Sequence, residues 1–456
     1  MAPFAIADTY AVQGLFVYEY TFSVNLDHND SGLSASKIKV FARRVVPPDE
    51  GDAKNPDKCK RPYIVYLQGG PGFECEPPLS KSGRTKELLD RGYQILYVDQ
   101  RGTGYSTPIS WSTLEDMGSD EERAKYMTYF RADNIVRDCE EIRHILLSNA
   151  TEKQWSLLGQ SFGGFCSFTY LSLFPSSLKD VLITGGVPPL VDSADPVYEA
   201  LYKRVLKRNK AYFTKFPNDV VRLHEIYAYL SLNKTTLPNG GTLSVERFQQ
   251  LGLDFGRHQG LDIVHQLVLK TAYDLKTFGK ITYNTLSRIE HEQGFDTNVL
   301  YACMHEAIYC QGKSSSWSAD RMRPQYAEYF DYDQIARANE GDKTIPIYFT
   351  GEMIYQSMFD DYIELQPLKR VADILAQKKD WGKLYDEEVL GSGTARVAAV
   401  SYFNDMYVDL DLSVEAASKV NNCRQWVTSE FLHNGLTVNP SRVLGRLFKL
   451  LECDVE

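Results

Sequence analysis

Residues 155–174 read WSLLGQSFGGFCSFTYLSLF, and the middle of this stretch restricts the fold more than any other feature of the chain. A short apolar run, 155–158, meets Gly159-Gln160-Ser161-Phe162-Gly163-Gly164, and an apolar segment of helical length follows. Three glycines in six residues between two such runs call for a strand-to-helix turn too tight for side chains at those positions. The serine at its centre is strained and projects its hydroxyl above the sheet to which the strand belongs. The following helix aims unpaired N–H groups and the positive end of its dipole at the same place.

The rest of the chain supplies that sheet. Runs 63–67 (YIVYL), 94–98 (QILYV), 155–158 (WSLL) and 181–184 (VLIT) are short and apolar throughout, the pattern of parallel strands buried on both faces. Helical stretches separate them, such as 132–147, where Ile135, Cys139, Ile142 and Leu146 recur at spacings of three and four. Alternation of this kind predicts an α/β fold with a mostly parallel central sheet. Upstream, 15–24 and 38–46 are β-rich and flank the polar residues 25–37, which predicts an antiparallel hairpin. From about residue 188 the pattern is mainly helical, with amphipathic runs at 200–216, 220–230, 263–278 and 298–309. Strand-like runs return at 397–403 and near 425–427, and a helix is expected over 441–451. The expected organisation is a core formed by 1–188 and 393–456, with a mainly helical cap inserted at 189–392. At 456 residues the chain has length enough for a core and such an insertion.

Composition removes several function classes. A formal net charge of -10 argues against attraction to nucleic acid or to an anionic membrane surface. The N-terminal segment lacks the basic flank and long apolar run of a secretory signal, and no stretch reaches the length of a membrane span, so a cytoplasmic protein is expected. The eight cysteines include no Cys-x-x-Cys pair, and no metal site is expected.

A serine made nucleophilic needs a base, and in this architecture the base follows the nucleophile with the acid between them. Of the eight histidines, His28 and His144 precede Ser161, while His224, His258, His265, His291 and His305 fall in the helical region. His433, in FLHNG, lies beyond a late strand and before the last helix, where the base belongs. Asp405 closes the run VAAVSYFND as the chain leaves the sheet, with Asp409 and Asp411 as nearby rivals. The oxyanion donors are expected at the N–H groups of Phe162, directly after the nucleophile, and of Gly70, in the loop QGGPG that ends the strand YIVYL.

Taken together, QGGPG at 68–72, DQRGTGYS at 99–106 and GQSFGG at 159–164 resemble the prolyl aminopeptidase (proline iminopeptidase) family of α/β-hydrolase serine peptidases. Gln68 departs from that family's usual histidine before the two glycines, a change that leaves backbone donors intact. The resemblance implies removal of an N-terminal residue, typically proline, from peptides with a free amine, without metal or organic cofactor. It also implies cap glutamates that bind the amine: Glu306, in the Glu-x-x-Tyr stretch EAIY, and Glu352, after the apolar run IPIYFT. Paired carboxylates in a partly desolvated pocket would favour an ammonium and repel a carboxylate. Tyr301, Tyr309, Phe349 and Tyr355 are candidate walls for a proline-sized slot. Asp99 and Arg101 read as polar anchors of loops near the site. Two alternatives stay open on the residues alone, an esterase acting on uncharged substrates and a non-catalytic receptor on the same scaffold.

Overall fold

Successive side chains of a strand point to opposite faces, so a strand covered on both sides must be apolar at nearly every position. The computed structural model describes residues 4–30, 32, 35–338 and 342–452. Its strands are β1 (Phe4–Val12), β2 (Leu15–Asn25), β3 (Lys37–Val46), β4 (Tyr63–Leu67), β5 (Gln94–Val98), β6 (Trp155–Gln160), β7 (Leu178–Thr184), β8 (Arg396–Tyr402) and β9 (Cys423–Thr428). They form one sheet in the order β1-β2-β3-β5-β4-β6-β7-β8-β9. The pairings from β1 to β3 and on to β5 are antiparallel, and every pairing from β5 through β4 to β9 is parallel.

Alternate residues of the central strands serve two apolar layers. Tyr63, Val65 and Leu67 of β4, with Leu157, Val181 and Ile183, pack with Ile135, Val136 and Cys139 of the helix Ala132–Leu146 and with Phe165 and Phe168 of the helix Phe162–Leu173. Ile64 and Tyr66, with Leu158, Leu182, Ala398 and Val400, pack on the other side with Leu88 and Leu89 of the helix Gly83–Asp90 and with Val443, Leu444, Leu447 and Leu451 of the helix Pro440–Glu452. Each of those leucines contributes about 1.5–3 kcal/mol by leaving water.

The expected hairpin is present, β2 and β3 pairing from Phe16 opposite Val46 to Asn25 opposite Lys37. Strand β1 was not expected. Its sequence FAIADTYAV is rich in alanine and mostly exposed, as befits an edge strand with a bulge between Ile6 and Asp8. Between β7 and β8 the described residues are mainly helical, with the helices Asp195–Lys215, Asp219–Leu232, Gly260–Phe278 and Val299–Met304 and a single bridge, Thr236 to Thr242. Among its described residues this region has no apolar core apart from that of the sheet, because Val197, Tyr198, Leu300 and Tyr301 belong to the same cluster as Val65 and Phe162. Among the described residues no helix is long and apolar enough to cross a membrane. The seven described cysteines are free thiols, and Cys453 lies outside the described residues.

The loop after β5 is anchored by charge. Arg101, 1% exposed, donates from Nε to Asp138 Oδ2 at 2.6 Å and from its terminal nitrogens to the carbonyls of Asn25, Leu26 and Tyr129. Asp99 accepts from the backbone N–H of Cys75 and Tyr105, and Gln100 donates to the carbonyl of Gln68 at 3.0 Å. One buried guanidinium therefore ties the end of β2, the helix Ala132–Leu146 and the loop after β5 together. Replacing Arg101 with methionine leaves Asp138 with His28, 2.7 Å from its Oδ1, as its remaining partner and strips the carbonyls of Asn25, Leu26 and Tyr129 of their donor, and denaturant unfolding is expected to show a loss of about 3–5 kcal/mol.

Candidate active site

Ser161 sits between β6 and the helix Phe162–Leu173 at φ 54°, ψ -123°, a left-handed backbone that a side chain rarely adopts. Crowding enforces the turn. A Cβ on Gly163 would lie 1.9 Å from the carbonyl oxygen of Leu67 at the end of β4, and one on Gly159 would lie 2.4 Å from the carbonyl oxygen of Gly163. The same packing sets the QGGPG loop, which leaves β4, beside the serine, because β4 and β6 are parallel neighbours.

His433 reaches Ser161 from the loop that follows β9. Its Nε2 lies 2.8 Å from Ser161 Oγ and its Nδ1 lies 2.7 Å from Asp405 Oδ2. A carboxylate only accepts, so Nδ1 carries the proton and Nε2 is left to accept from the serine hydroxyl. Asp405, 2% exposed, also takes the backbone N–H groups of Tyr407 and Val408 on Oδ1 at 2.8 and 3.2 Å. The rival acids do other work: Asp409 caps the helix Leu410–Ser418 and pairs with Arg204, and the side chain of Asp411 is 93% exposed. Burial on its own would lower the pKa of His433, but the charge and hydrogen bond of Asp405, helped by the charge of Glu352, outweigh it and raise the imidazole above its ordinary value.

A cavity of about 410 Å³ opens over these groups, lined by Gly69, Gly70, Ser161, His433 and Glu352 among others. Phe162 supplies the first N–H of its helix, which has no intrahelical partner. Glu352 lies beside Tyr301, whose hydroxyl donates to Glu352 Oε1. Phe73 and Phe295 pack on the Tyr301 ring at 5.2 and 5.3 Å between centroids. Of the aromatic walls expected from the sequence, Tyr301 lines this cavity, while Tyr309, Phe349 and Tyr355 do not.

Glu306 is not among the lining residues either. Its carboxylate is 6% exposed and accepts from the backbone N–H groups of Ser318 and Ala319, at 3.1 and 3.0 Å, at the start of the helix Ser318–Met322. Burial pushes its pKa up to about 7, against the lowering effect of those N–H groups. Glu306 instead lines a small pocket with Ser315 and Trp317, apart from the cavity over Ser161.

Sequence reasoning also passed over residues that the structure brings to the site. The Tyr407 ring stands edge-on to His433 at 4.7 Å, and its hydroxyl donates to the carbonyl of Leu253. Asp254, Arg257 and Glu292 line the cavity from the helical region. No local signal marks them, since they become neighbours only through the tertiary fold.

A parallel sheet carrying a serine on a strained strand-to-helix turn, with an imidazole and a carboxylate arriving from later strands, is the arrangement of α/β-hydrolase serine hydrolases. Residues 62–227 match the family described as alpha/beta hydrolase fold. The chain is 40% identical over 441 residues to a proline iminopeptidase of Aeromonas sobria, covering 97% of this chain and 98% of that protein. It is likewise 40% identical over 438 residues to a proline iminopeptidase of Aspergillus aculeatus, covering 95% and 93%. The chain belongs to the proline iminopeptidase family. A proline iminopeptidase structure from Mycobacterium smegmatis overlaps 94% of this chain and 97% of its own at 12% identity and a TM-score of 0.42.

The two glutamates differ in a way that titration reads. Glu352 is one of the charges holding the imidazolium of His433, so Glu352→Gln is expected to lower the pKa of the base and move the acid limb of kcat/KM to lower pH. Glu306 has a raised folded-state pKa, so its charging costs stability as pH rises from about 4.5 to about 7. Glu306→Gln is expected to flatten that decline in unfolding measurements at pH 5 and pH 8, with the acid limb of activity left in place.

Proposed function

We propose that this chain is a serine aminopeptidase that releases N-terminal proline from peptides through an acyl-enzyme. The observation that carries the reading is the hydrogen-bonded chain from Ser161 Oγ through His433 to Asp405, at 2.8 and 2.7 Å, inside a cavity that also presents Glu352. Full-length similarity to proline iminopeptidases supports the choice of substrate. In this reading residues 1–188 and 393–456 carry the catalytic groups and the helical residues 189–392 cap them.

The substrate's N-terminal ammonium docks against Glu352, and the proline ring rests among Phe73, Phe295 and Tyr301. Ser161 Oγ attacks the first carbonyl carbon while His433 Nε2 takes the hydroxyl proton. Asp405 keeps the imidazole in the required tautomer and stabilises the imidazolium. The negative charge that develops on the carbonyl oxygen is held by the N–H groups of Phe162 and Gly70, each such donor being worth about 2.7–4 kcal/mol. The imidazolium then protonates the departing nitrogen as the C–N bond breaks, leaving a prolyl ester on Ser161. Water, deprotonated by the same imidazole, attacks the ester and frees proline.

Glu352 is a fixed negative charge, so the reading demands a free amine. Hydrolysis of a proline arylamide is expected to exceed that of its N-acetylated form by at least about a hundredfold in kcat/KM, since a half-buried carboxylate left without its partner is costly. Equal rates on the two would overturn the assignment in favour of an esterase-like hydrolase.

A further inference from the structure

An enzyme that cuts after the first residue needs a site closed at the amine and open where the rest of the peptide leaves. The walls of the Ser161 cavity divide in that way. Tyr301, Phe295 and Tyr407 are at most 9% exposed, whereas His291 and Gly294 are exposed and the side chains of Arg257 and Glu292 are 38% and 33% exposed. Glu352, half-buried, is tied to this buried group by the bond it accepts from the Tyr301 hydroxyl.

The open side carries two charges that the catalytic reading does not use, those of Arg257 and Glu292, and Arg257 pairs in turn with the buried Asp254. Arg257 Nε lies 2.7 Å from Asp254 Oδ1, and another guanidinium nitrogen lies 2.7 Å from Glu292 Oε2. Two carboxylates surround one guanidinium, so the cluster keeps one negative charge in excess. Asp254 is 8% exposed and its second oxygen, Oδ2, has no hydrogen-bond partner although the residue lines the cavity. A buried acceptor of this kind is costly unless a donor arrives. Its loop is also braced on the catalytic base: the carbonyl of Gly256 accepts from the backbone N–H of His433 at 3.2 Å, and that of Leu253 accepts from the Tyr407 hydroxyl.

We propose that Asp254, with Arg257 and Glu292, forms a subsite on the leaving side of the scissile bond that favours a cationic side chain, lysine or arginine, as the second residue of the peptide. The inference rests on the aminopeptidase reading above. Arg257 is already matched by two carboxylates and has no net charge to offer an anion. Burial, reinforced by the like charge of Glu292 and eased by Arg257, pushes Asp254 up to about 6, so the carboxylate is ionised at neutral pH. A glutamate in the second position would meet like charge, which discriminates strongly at a partly desolvated site.

The test compares two amidated tripeptides, prolyl-lysyl-alaninamide and prolyl-glutamyl-alaninamide, by kcat/KM for proline release. The unaltered enzyme is expected to favour lysine by about tenfold or more, and Asp254→Asn and Glu292→Gln each to cut that ratio at least about threefold. Fluorophosphonate titration of Ser161 counts the folded enzyme, and Glu292→Gln, a change at the partly exposed rim, keeps the test open should Asp254→Asn not fold. A ratio near one in the unaltered enzyme, or a ratio unmoved in the variants, overturns the proposal while leaving aminopeptidase activity standing. A parallel rise in KM for both peptides in Asp254→Asn also overturns it, because Asp254 would then serve the amine. Failure to release proline from either peptide overturns it together with the aminopeptidase reading.

Discussion

The structure depends on a single steric constraint, the approach of Gly163 to the carbonyl of Leu67. No residue with a Cβ fits there, and the fit holds the helix Phe162–Leu173 against the end of β4. With that helix fixed, Ser161 is left at a backbone conformation that costs about 1–3 kcal/mol, a strain sustained by the packing of β4, β6 and β7 around it. The serine hydroxyl, the first helical N–H and the loop from β4 all emerge at the same end of the sheet. Ligands gather at the carboxyl ends of parallel strands for this reason: loops and helix starts converge there.

The base is supported from two directions. Asp405 holds its Nδ1, and the helical region holds its loop through Gly256 and, by way of Tyr407, through Leu253. Tyr407 joins the two supports, since its backbone N–H binds Asp405 while its ring packs on His433. Helical residues that line the cavity thus also hold the imidazole of His433 in place, and the sheet and the helices share one apolar cluster without a break. Movement of the helices independent of the base would have to break that cluster.

Much of this was written in local sequence. Continuous apolar runs reveal β4 to β7 because strands covered on both faces need no polar residue, and the GQSFGG turn reveals itself because it tolerates little but glycine. Asp405 and His433 were reachable from chain order and from their place after late strands. Strand β1 was not legible, since an exposed edge strand needs no apolar alternation. Glu306 and Glu352 look alike in sequence, each preceding a tyrosine in a helical region, and only tertiary packing turns one toward backbone N–H groups and the other into the cavity. Asp254, Arg257 and Glu292 carry no motif in the chain and acquire meaning by lining one cavity.

Phosphonylation kinetics probe the coupling of nucleophile and base without relying on any substrate preference. With a fluorophosphonate, the second-order rate constant is expected to fall by about a thousandfold or more in His433→Ala, with the label mapped by mass spectrometry to Ser161 in the unaltered protein. A label on another residue, or a His433→Ala protein that reacts at the unaltered rate, would contradict the catalytic chain from Asp405 through His433 to Ser161.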